Sequence, residues 1–142
     1  MNRFGKTSSG GHRPVTPIAG GLFFAIAAIL TAAAGVSLLA PNGALDVMWR
    51  IKPRDHETLL GMGPLVGFGF CGLSVAMAAA SIGCLAQHRW GWGLALAIFV
   101  ANGLADAARI PLGAPSEGAL GVTVAAVIVW WLTRPGVRDL FR

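Results

Sequence analysis

The chain has 142 residues, of which 55% are hydrophobic and 12% charged, with a mean hydropathy of +0.67; soluble domains carry about 25% charged residues, so an ordinary water-soluble domain is excluded. The formal charge of +5 does not point to nucleic acid, because the Lys and Arg residues flank apolar runs and form no separate basic domain. Each such residue adds about 1 kcal/mol of attraction to an anionic leaflet.

Residues 1–16, MNRFGKTSSGGHRPVT, are basic and rich in Gly, Ser and Thr, and predict a flexible cytoplasmic tail. A cleaved signal peptide is the competing reading, but its apolar segment is normally about 7 to 15 residues long. Here the run from Ile18 to Leu39 is long enough to span and holds no charge. The first predicted span is 17–39.

A loop follows, PNGALDVMWRIKPRDHETLLG, in which Asn42 is placed to cap a short helix with Leu45, Met48 and Trp49 on one face. That helix is expected at the membrane interface. Lys52 precedes a proline and is biased out of the helical region, so a second helix should start at Pro53 with Asp55 and Glu57 in its acidic first turn. It should run into the second span, 62–85, where Pro64 marks a kink or a restart.

Gln87 to Arg89 form a very short turn, which makes the second and third spans antiparallel neighbours. The third span covers 90–108. Pro111, Gly113 and Pro115 break the chain before a fourth, 118–132, with Ser116 or Glu117 satisfying its first amides. That span would be only ~22 Å long and would need flanking residues or a thinned bilayer. Residues 134–142 complete the chain as a basic cytoplasmic tail.

The expected fold is thus all-α, an integral membrane bundle of four transmembrane helices over 17–133 with a short interfacial helix between the first two. With the amino terminus inside, the cytoplasmic segments hold Arg3, Lys6, Arg13, Arg89, Arg134, Arg138 and Arg142, against Arg50, Lys52, Arg54 and Arg109 outside. The bias favours both termini in the cytoplasm. Trp90 and Trp92 open the third helix and Trp130 and Trp131 close the fourth, so antiparallel packing gathers these indoles at one face, with Trp49 an anchor in the loop.

Asn102, Asp106 and Arg109 follow at i, i+4 and i+7 and share one helix face. Counted from Trp90, Asn102 lies ~18 Å and Asp106 ~24 Å along the axis, and Arg109 near the far boundary. A carboxylate at a span's centre costs about 2.5 to 3.5 kcal/mol, less near an end, so Asp106 should face the bundle and find a partner. In the functional reading Asp106 binds a cation or proton in a polar vestibule, and His56 or Glu57 exchanges it with water. In the structural reading Asp106 pairs with Arg109, Asn102 bonds between helices, and the loop charges are a solvated surface.

Catalytic signals are weak. HExxH is missing, and His12 and His88 fall on the opposite face from His56, so no metal or other cofactor is expected. Ser74 and Ser81 lack a nearby histidine and read as packing residues. Cys71 and Cys84 sit about 20 Å apart along one helix, beyond disulfide reach, and read as core fillers. Gly91 and Gly93 complete no phosphate-binding motif.

Small residues recur every fourth position in Gly63, Gly67 and Cys71; in Gly72, Ala76 and Ala80; and in Gly93, Ala97, Ala101 and Ala105. Such stripes let helices approach closely in lipid, within the bundle or between chains.

The Trp-Arg-x-x-Pro-x-x-His element formed by Trp49, Arg50, Pro53 and His56 resembles one found after the first helix of small bacterial four-helix inner-membrane proteins. RWGW at the start of the third helix, its Asn102 and Asp106, and the closing RPGVRDLF extend the similarity over most of the chain. The resemblance implies the membrane fold and a bacterial inner-membrane location, and carries no activity with it. The expected role is a noncatalytic membrane protein, an accessory or organising subunit of an envelope complex. The alternatives are a small transporter or channel subunit using Asn102, Asp106 and Arg109, and an interfacial lipid-modifying enzyme using His56 and Glu57. The expected partners are the lipid bilayer and a second membrane protein or another copy of the chain, and not nucleic acid.

Overall fold

The computed structural model describes residues 15–141, and every regular element among them is helical. The expected flexible tail, 1–16, lies outside the described residues except for its last two, which already belong to the first helix. In chain order the elements are α1 (Val15–Leu39), a 3₁₀ helix (Ala44–Ile51), α2 (Pro53–Gly61), α3 (Pro64–Leu85), α4 (Arg89–Arg109), α5 (Pro115–Leu132) and a single-turn α6 (Pro135–Arg138). Four of these, α1, α3, α4 and α5, are long and apolar enough to cross a membrane.

Prolines set the starts of four helices. Pro53, Pro64, Pro115 and Pro135 each occupy the first turn, where the missing N–H costs nothing and the fixed φ suits a helix. Two expectations are corrected as a result. The helix after Pro53 does not run into the second span, because it ends at Gly61 and Gly63 takes φ +87 before α3 restarts at Pro64. The fourth span begins at Pro115 rather than 118, so its 18 residues reach about 27 Å and nearly match the hydrocarbon core.

The loop after α1 is also corrected. Asn42 does not cap the next helix with its side chain; it adopts φ 69, and its backbone N–H donates to Asp46 Oδ2. Gly43 takes the N-cap position, and the helix is 3₁₀ rather than α. Trp49 is half-buried, and its indole N–H donates to Ser37 Oγ at 2.8 Å, tying the 3₁₀ helix to the end of α1. Ser37 is itself buried and donates to the Ala34 carbonyl at 2.8 Å.

Successive long helices are antiparallel, and glycines mark where their backbones meet. Against α3, a Cβ on Gly35 would lie 3.0 Å from the Gly67 carbonyl oxygen and 2.8 Å from Cys71 Sγ. Toward the other end of the same pair, Ser81 Oγ donates to the Gly21 carbonyl at 2.7 Å. Such interhelical bonds average about 0.6 kcal/mol in lipid. At the α3–α4 hairpin, Gly83 and Gly91 pack backbone against backbone with no room for a side chain on either. Between α4 and α5, Gly103 faces Ala125, and Trp92 Nε1 donates to the Leu132 carbonyl at 3.0 Å.

The stripe Gly67–Cys71 is therefore consumed by α1, whereas Gly93 borders a cleft with room for a side chain and Ala97, Ala101 and Ala105 are exposed on α4. Both cysteines are free, Cys84 buried and Cys71 half-buried.

The core lies toward the end of the bundle where α1 begins and α5 finishes. Phe24 and Ala28 of α1, Met77, Ala80 and Cys84 of α3, and Ala95 and Ile98 of α4 pack together there. Phe99 meets Phe24 edge-on at 5.6 Å between ring centroids. The stretch expected as a basic tail folds back onto this end, and Phe141 is buried in the same core. Trp90, Trp92, Trp130 and Trp131 all lie at this end, with the Arg134 guanidinium 3.8 Å above the Trp130 ring.

Candidate functional site

The polar residues singled out in α4 lie at the opposite end, beside the loop and the start of α5. Asp106 points at α5, where its carboxylate rests against Gly121 in space that any side chain at 121 would fill. Its backbone carbonyl likewise lies against Gly118. Gly118 and Gly121 thus let α5 come down onto a carboxylate.

Arg109 Nη1 lies 3.7 Å from Asp106 Oδ1, the i,i+3 pair that the structural reading expects. The Asp106 side chain is 27% exposed and that of Arg109 59%, so the pair stabilises by at most about 1 kcal/mol. Asn102 does not bond between helices as that reading expects. It is exposed and makes no side-chain hydrogen bond among the described residues, because α4 and α5 meet at Gly103 and Ala125 and leave position 102 at the groove edge.

A recess of about 500 Å³ opens over this group, lined by Lys52, Asn102, Asp106, Arg109, Glu117 and Gly121 among others. Lys52 and Glu117 are additions to the expected site. Lys52 reads in the sequence as the residue before Pro53 and as one of the basic residues that set the orientation, and Glu117 only as a helix-start acid. The signal that could have found them is topological, since both flank elements that end on the same side as Asp106. Lys52 also pairs with Asp55 at 3.5 Å.

His56 and Glu57 do not line the recess. His56 stacks on Trp49, ring centroids 5.0 Å apart and planes 5° from parallel, and its Nε2 is buried without a hydrogen-bond partner among the described residues. Glu57 is exposed. The recess is therefore bordered by Lys52 and Glu117 around Asp106, while His56 packs against Trp49.

Two acids and two bases line the recess, so its charge is balanced. Ser74 donates to the Cys71 carbonyl and Ser81 to that of Gly21, which makes both packing residues. Among the described residues no three His, Cys, Asp or Glu side chains gather as a metal site. Comparison with protein-family models, curated proteins and solved structures finds no match.

Proposed function

We propose that this chain is a noncatalytic multi-pass protein of the bacterial inner membrane, with both termini in the cytoplasm, serving as an accessory or organising subunit of an envelope complex. The observation that carries this reading is the unequal use of its small-residue stripes. Gly35, Gly67 and Cys71 close one helix pair, and Gly83 and Gly91 close the hairpin, whereas Ala97, Ala101 and Ala105 form a smooth outer face on α4. In lipid such a face favours close approach by another helix. Gentle extraction followed by mass spectrometry should recover a second membrane protein at fixed stoichiometry, and Ala101→Leu should release it. Isolation of the chain alone from its own membrane would refute the reading.

The recess around Asp106 favours a second reading, a small transporter or channel subunit. Proteoliposomes should then show a pH-dependent or cation-dependent flux that Asp106→Asn abolishes. Flux unchanged by that substitution removes Asp106 from the mechanism.

A further inference from the structure

A second cavity, of about 220 Å³, lies toward the tryptophan-rich end and shares Phe99 with the recess over Asp106. Gly20, Phe24, Cys84, Phe99, Trp131 and Phe141 are among its walls, and among the described residues no charged side chain lines it. Beside it, sharing Phe141, is a polar cleft of about 430 Å³ lined by Arg89, Trp92, Thr133, Arg138 and Asp139. Two guanidiniums against one carboxylate leave that cleft positive, and among the described residues neither arginine forms an ion pair.

The apolar cavity is reached from the side. Phe23 and Trp131, which line it, are 52% and 39% exposed. A Cβ on Gly20 would meet nothing within 4 Å, whereas one on the adjacent Gly21 would collide with Leu85. The helix is thus closed against α3 and open toward the cavity. An apolar slot joined to a cationic cleft at the level of a tryptophan belt matches an amphiphile with a hydrocarbon chain and an anionic head.

We propose that the joined cavities bind one anionic phospholipid from the surrounding leaflet, an acyl chain in the apolar cavity and its phosphate between Arg89 and Arg138. The proposal rests on the membrane reading of the four spans and is independent of the accessory role.

Native mass spectrometry of the full chain in detergent, titrated with dioleoylphosphatidylglycerol, dioleoylphosphatidylcholine or glycerol phosphate, tests it. A single phosphatidylglycerol adduct is expected, favoured over phosphatidylcholine by about thirtyfold, since each arginine contributes about fivefold. Arg138→Gln should lower that preference about fivefold. Gly20→Leu should fill the cavity and abolish the adduct while helix content stays unchanged by circular dichroism. Equal retention of both lipids, an adduct undiminished in Gly20→Leu, or glycerol phosphate binding as well as the lipid would overturn the proposal. Arg138→Gln alters only an exposed side chain, so it reports on the head-group contact even if Gly20→Leu fails to fold.

Discussion

Alanine at Gly91 tests whether backbone contact at the hairpin holds α3 against α4. A Cβ at this position would lie 2.8 Å from the Cys84 amide nitrogen and closer still to Gly83, while ordinary contact begins at 3.4 Å. The helices must therefore part by about 0.6 Å or more, and no rotamer change relieves backbone atoms. Overpacking of this kind costs about 1 to 3 kcal/mol, and the backbone neighbours put it at the upper end. Alanine recovers about 0.8 to 1.0 kcal/mol in helix propensity, leaving a net loss near ~2 kcal/mol. Gly93 is the control, because its Cβ would meet nothing within 4 Å. Gly93→Ala should be neutral or stabilising by up to about 1 kcal/mol. Reversible unfolding by SDS in mixed micelles, followed by circular dichroism, measures both. Equal stability of the two variants would refute the argument that the α3–α4 crossing depends on glycine at 91.

Ser81→Ala removes the bond to the Gly21 carbonyl and should cost about 0.6 kcal/mol in the same unfolding assay, with about 1.7 kcal/mol as the ceiling. Trp49→Phe keeps the ring stacked near His56 but loses the bond to Ser37, and should cost about 1 kcal/mol and raise amide exchange across the 3₁₀ helix. Gly121→Ala should displace the Asp106 carboxylate and destabilise by about 1 to 3 kcal/mol. Asp106→Gly should recover most of that loss in the double variant, and additive losses would show that the two positions do not touch.

Some of the polar site is legible in the sequence. The spacing of Asn102, Asp106 and Arg109 places them on one side of one helix, and the i,i+3 ion pair follows from that spacing alone. Lys52, Glu117 and Gly121 reach the same recess from two other segments, and no periodicity within α4 contains them. His56 shares a loop with Lys52, which is why chain proximity assigns it to the vestibule. Its stacking on Trp49 depends on the angle at which the 3₁₀ helix and α2 meet across Lys52, and the break that Pro53 imposes there does not fix that angle.

The sequence by itself determined four helices able to span, their order, the helix start at Pro53 and the tight hairpin, because apolar length, proline geometry and connection length are local properties. Tertiary structure alone decided which small-residue faces close the bundle, that Asp106 meets Gly121, that Trp49 is held by Ser37, and that Phe141 returns to the core. In lipid an apolar face toward a helix and one toward an acyl chain are chemically alike, so their roles separate only when the helices are packed.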